Sequence, residues 1–123
     1  MEEQDILQFF MSLLTQIKLY HWSTIIYSKH KALDSLHESL SDKIDTFIES
    51  YIGKTKKQPL KIFTIKSSAT TNAKGDNIDK YLESSRDEIL NIHNKMIASV
   101  ELQNILQDMM SLFNSAIYLC KLS

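Results

Sequence analysis

The feature that most limits what this chain can fold into is the placing of its helix breakers. Two glycines and one proline serve all 123 residues, and Gly53, Pro59 and Gly75 all fall in one internal stretch. On either side of it apolar residues return every three or four positions, the period of a helix with one buried face. So few turn formers do not suit a β-protein with many turns. Long helices are the expectation.

The periodicity predicts four of them. The first covers about 3–22, with Leu7, Phe10, Leu14, Ile17 and His21 on its stripe and acidic residues at the positive end of its dipole. The β-branched run STIIYS should end it, and Ser28 is the expected cap of the second helix. That helix covers about 29–52, buries Leu33, Leu36, Leu40, Ile44, Phe47 and Tyr51, and is expected to stop at Gly53. The third, about 76–97, opens with Asp76 and Asp79 at capping-box spacing and carries Ile78, Leu82, Ile89, Ile92 and Met96. The fourth, about 100–121, carries Leu102, Ile105, Met109, Leu112, Ala116 and Leu119.

Between 53 and 75 the helical period is lost. The stretch holds five lysines by Lys66, a KIFTI run of strand-like composition and a polar SSATTNAKG end. Connections of this length often carry an interface or a binding function, with a solvated loop as the plainer reading. The expected architecture is all-α: one domain over 1–123, a four-helix bundle with a long connection between its second and third helices. That connection can cross the bundle and leave those two helices parallel, as in ferritin-like folds, or fold back into a simple up-down bundle.

Charge and composition remove several function classes. A net charge of -1 gives no electrostatic footprint for nucleic acid or an acidic membrane. No apolar run approaches the roughly 20 residues of a membrane span, and the acidic start does not resemble a signal peptide. With one cysteine, Cys120, there is no internal disulfide, so a cytoplasmic setting is expected. The sequence has no glycine-rich phosphate loop, paired-cysteine zinc motif or nucleophile elbow. Cys120 is read as a small buried residue.

The second helix is chemically unusual. His30, Asp34, His37, Ser41 and Asp45 lie on one slowly drifting stripe beside its apolar face, and Glu49 follows one turn later. Imidazoles and carboxylates at the edge of a buried face offer nitrogen and oxygen ligands to hard or borderline metals. The plain alternative is a solvated acidic flank beside a core stripe. His21 and His30 are nine residues apart and would point in opposite directions on one continuous helix. Only a turn between them lets both face one site.

His21-Trp22 followed by His30-x3-Asp34-x10-Asp45-x3-Glu49 resembles the Dps family, the miniferritins, which are four-helix-bundle relatives of ferritin. With about one residue in eight acidic, three such spacings after a given histidine arise by chance on the order of a few times in a thousand. The resemblance covers roughly residues 14–53. It implies a ferritin-like bundle and an iron site at a two-fold interface, with His21, His30 and Asp34 from one chain and Asp45 and Glu49 from its mate. It further implies Fe(II) oxidation by peroxide or oxygen at a mono- or di-iron site, with no catalytic residue beyond the ligands, in a homodimer or larger assembly. Two departures bear on what carries over. The two histidines stand nine residues apart without the glycine of the family's longer interval, and no lysine-rich N-terminal tail is present, so DNA binding is not carried over.

Two other readings of the chain stand beside this one. One is a non-catalytic helical bundle serving as a structural or adaptor protein, of the kind found among accessory proteins of large DNA viruses. The other puts zinc in place of iron, which the same ligands accept. His37 matches no ligand of the family and is read either as an added ligand or, more commonly for such a histidine, as an interface or half-buried polar residue. His93 is read as a flank residue of the third helix.

Overall fold

The computed structural model describes residues 3–56 and 76–122. Four helices make up the described chain: α1 (Glu3–Ser23), α2 (Tyr27–Thr55), α3 (Asp76–Lys95) and α4 (Val100–Cys120). They form an all-helical four-helix bundle, with no strand among the described residues. The lysine-rich and KIFTI stretches of 57–75 lie outside the described residues.

The end contacts fix the direction of each helix. Lys29, in the first turn of α2, reaches Asp79 in the first turn of α3 and the carbonyl of Cys120, the last residue of α4. Tyr20, late in α1, sets its ring edge-on against Tyr81 of α3 at 5.5 Å. At the far end Lys54 of α2 pairs with Glu101 at the start of α4. So α2 and α3 run the same way, and α1 and α4 run against them. Each helix packs on two neighbours: α2 lies between α1 and α4, and α3 lies mainly against α4, with a sparser contact to α1. Among the described residues α2 and α3 stand on a diagonal without close backbone packing, and the Lys29–Asp79 pair reaches across between them.

The core is aromatic and aliphatic, with Phe10, Leu13, Ile17, Leu33, Leu40, Phe47, Ile78, Leu82, Ile89, Leu106, Met109 and Phe113 fully buried. Phe10 meets Phe47 edge to face at 5.5 Å between α1 and α2. The stripes of α2 and α3 are as the sequence predicts, except that Tyr51 and Met96 are half-buried. Those of α1 and α4 are turned by about one residue. Ile6, Leu13 and Tyr20 are buried where Leu7 and Leu14 are only half-buried, and Leu106, Phe113 and Cys120 replace Ile105, Leu112 and Leu119. A helix wedged between two neighbours points inward along the line between them, and a hydrophobicity stripe read from one edge misses that line.

Two helix ends also differ from expectation. Ser28 does not cap α2: the helix starts at Tyr27, with Ile26 as its extended cap residue, while the backbone N–H of Ile26 donates to Thr24 Oγ1 at 3.2 Å. Nor does Gly53 end it. The helix runs to Thr55, and Lys56 takes the left-handed conformation at φ 60°, its N–H donating to the Ile52 carbonyl. The half-buried ring of Tyr51 against the core and the Lys54–Glu101 pair hold the extra turn in place.

Candidate metal centre

Non-helical residues 24–26 separate α1 from α2 and fold the chain back. That reversal brings His21 and His30 together, as their spacing required. Their imidazoles stack at 4.0 Å between centroids and 19° between planes. The hydrogen bonding is reciprocal: His21 Nδ1 lies 2.8 Å from the carbonyl of His30, and His30 Nδ1 lies 2.9 Å from the carbonyl of His21. A carbonyl oxygen only accepts, so each Nδ1 carries a proton. In the neutral rings both Nε2 atoms therefore keep a lone pair. A metal-binding histidine is set up in this way, with its other ring nitrogen donating to a carbonyl that fixes tautomer and orientation.

Asp34, one turn beyond His30, puts Oδ1 3.8 Å from His21 Nε2, past hydrogen-bond reach. Its side chain is half exposed, whereas His21 is buried. The stacked imidazoles thus lie at the turn end of the α1–α2 pair, with the Asp34 carboxylate near the first of them. His37 is half-buried one turn further on. Burial, then the ammonium of Lys18, pushes its pKa below 6.5, against a smaller pull upward from Asp34. Trp22 is 67% exposed beneath the Lys18 ammonium, at 5.9 Å, and is no core aromatic.

Asp45 and Glu49 do not join this group. Eleven residues separate Asp34 from Asp45, about 16 Å along a helix, several times the span of a metal's ligand shell. Both carboxylates are exposed. They act on each other: a side-chain hydrogen bond to Asp45, followed by the repulsion of its charge, raises Glu49 above its usual 4.5. Beside them a groove between α1 and α2 is lined by Leu7, Met11, Leu14, Ile44 and Ile48, with Asp42 and Asp45 on its rim. No group of three or more His, Cys, Asp or Glu side chains that could hold a metal ion forms within one chain among the described residues.

Lys29 is the residue that sequence reasoning missed. Its ammonium is buried, 3.1 Å from Asp79 Oδ1 and 2.9 Å from the Cys120 carbonyl. The signal was present: stepping back four residues from Leu33 along the buried stripe of α2 lands on Lys29. Asp79, whose spacing from Asp76 suggested a capping box, spends its carboxylate on this lysine. His93 lies on the flank of α3, with Nε2 3.1 Å from Gln107 Nε2. Cys120 is buried, and its thiol is pushed above its usual 9.0 mainly by that burial, which suits packing better than nucleophilic work.

Fold and site together define a class: a four-helix bundle with a tautomer-locked histidine pair joining α1 and α2 at one end and a carboxylate pair further along α2. The chain belongs to DUF5856, a family of unknown function, whose model matches residues 21–120. That match starts at the first of the paired histidines and includes all five candidate ligands. No curated protein and no solved structure matches the chain.

Proposed function

We propose that this chain is a ferritin-like, Dps-like protein that binds Fe(II) at a site completed by a second copy and oxidises it with peroxide or oxygen. The observation that carries the reading is the reciprocal His21–His30 clasp, which leaves a lone pair on each Nε2, that of His21 3.8 Å from the Asp34 carboxylate. Helix directions add support. Parallel α2 and α3 on a diagonal are the arrangement of bundles with one long crossover, the ferritin-like folds.

The spacing along α2 adds a third argument. A partner α2 laid antiparallel and centred level with Ser39 and Leu40 sets His30 opposite the partner's Glu49. The same register sets Asp34 opposite the partner's Asp45. Each end of the pair then holds two imidazoles and three carboxylates, a set that suits iron in both ferrous and ferric states. A cation there relieves the repulsion that raises Glu49. The apolar groove of Leu7, Met11, Leu14 and Ile48 lies beside the same seam and offers it area to bury.

The adaptor reading draws on a different observation, the exposed trio Trp22, Ile25 and Tyr27 at the α1–α2 turn. Exposed apolar groups of that size suit a protein partner. One experiment separates the two. Anaerobic Fe(II) titration, followed by peroxide or oxygen, is compared between wild type and His30→Ala/Asp45→Ala. Saturable binding of one or two irons per site, with ferric absorbance lost in the variant, is the expected result. Oxidation no faster than buffer in both proteins removes the iron reading and leaves the adaptor. A site that takes zinc and does not oxidise iron points to the zinc reading.

A further inference from the structure

We infer that Lys29 is a positioning residue: its buried ammonium holds the first turn of α2 so that His30 meets His21 in the locked tautomer. The consequence for iron rests on the reading above; the positioning itself does not.

The first turn of α2 has little else to hold it. Its cap residue Ile26 makes no side-chain cap bond, and no acidic residue sits in the turn to meet the helix dipole. Tyr27 is exposed, and Ser28 has a buried hydroxyl without a hydrogen-bond partner. The apolar anchors of the helix begin only at Ala32 and Leu33. Between residues 27 and 30, Lys29 is the one buried side chain.

A lysine there is wrong for its own helix, because the N-terminus of α2 is the positive end of that dipole. It is right for its neighbours. The Cys120 carbonyl belongs to the negative end of α4, where a lysine donor meets the helix dipole favourably. Asp79 sits at the positive end of α3 and takes the same ammonium with both carboxylate oxygens, at 3.1 and 3.4 Å. One ammonium therefore ties the start of α2 to α3 and α4 at a fixed depth. His30 follows directly, and its ring bond to the carbonyl of His21 leaves little slack at 2.9 Å. A small rise or rotation of that turn breaks both reciprocal bonds, since each ring uses the other residue's backbone.

The test is the tautomer of the two rings, read from imidazole nitrogen resonances in the metal-free protein. In wild type both His21 and His30 are expected in the Nδ1–H form. Lys29→Met/Asp79→Leu removes the ammonium and its counter-charge together, so that no buried charge is left unpaired. With helix content and thermal midpoint kept, most of the His30 signal should move to the Nε2–H form, and His21 should follow. Fe(II) affinity should fall about tenfold, the usual cost of losing an orienting partner of a ligand. A residue that only stabilises the fold would leave the tautomers unchanged at equal stability. Asp79→Asn is the milder second variant, which keeps the carbonyl acceptor for Lys29, and a smaller shift in the same direction is expected. Retention of the full Nδ1–H form in the folded variants overturns the inference. A tautomer shift in a protein that binds no iron removes the iron reading and leaves the positioning of His30 intact.

Discussion

At the scale of residues, the chain divides its acidic groups by what they touch. Asp79 is tied to a buried lysine, Glu101 to an exposed one, and Asp45 and Glu49 to each other. That last pair works against the fold. Glu49 holds its proton more tightly in the folded chain than in the unfolded one, because of its hydrogen bond to Asp45 and then the repulsion between them. The contribution to stability is therefore present below 4.5, the ordinary value, and is lost as pH rises through the folded value. Asp45→Asn should remove the loss and flatten the fall in stability above 4.5, as urea melts across that range would show. The same substitution should weaken Fe(II) binding. A change that stabilises the fold and weakens the ligand set marks a group kept for a site; weakened stability above 4.5 would instead mark Asp45 as structural.

At the scale of elements, the helices were legible because their period and the gathering of all three breakers in one segment agree. Their ends were less so. Gly53 looked like a terminator, yet a Cβ there would meet nothing within 4 Å, and the helix passes through it. Termination falls on Lys56, a residue with a Cβ in the left-handed region, which costs roughly 1–2 kcal/mol for a non-glycine residue. Lys56→Gly is thus expected to stabilise the protein by about 1 kcal/mol, measured as a higher urea midpoint with an unchanged slope. No gain, or a loss, would show that the Lys56 side chain contributes something that its backbone strain hides. The start of α2 teaches the same lesson: Ser28 has the right chemistry for a cap, but the helix begins one residue before it, with Ile26 as the cap residue and its N–H bonded to Thr24 Oγ1.

At the scale of the whole molecule, the candidate ligands fall into two groups about three helical turns apart, and one chain does not close the gap. The proposed iron site therefore requires a second copy of the chain. Trp22, Ile25 and Tyr27 cluster at the turn next to the histidine pair, each more than half exposed. In a pairing through the α1–α2 face Trp22 lies near the contact. Its fluorescence should move to shorter wavelength as protein concentration rises, in step with a monomer-to-dimer transition seen by sedimentation. Trp22→Ala should shift that transition to higher concentration. Sedimentation as a monomer at every concentration, with and without Fe(II), would remove the inter-subunit site.

The sequence by itself determined the four helices, the inward stripes of α2 and α3, and the need for a break between His21 and His30, because each follows from local periodicity and helical angle. Its resemblance to a family pattern offered five candidate ligands, which is information carried along one chain. Tertiary structure decided what depends on neighbours. The inward direction of α1 and α4 is set by the two helices that flank each one. The reciprocal use of two backbone carbonyls fixes the histidine tautomers, and no spacing rule encodes that. Spacing puts Lys29 on the buried stripe of α2, but its burial makes sense only once α3 and α4 bring a carboxylate and a helix end to it. A buried charge acquires its meaning from partners distant in sequence, and here those partners are fifty and ninety-one residues away.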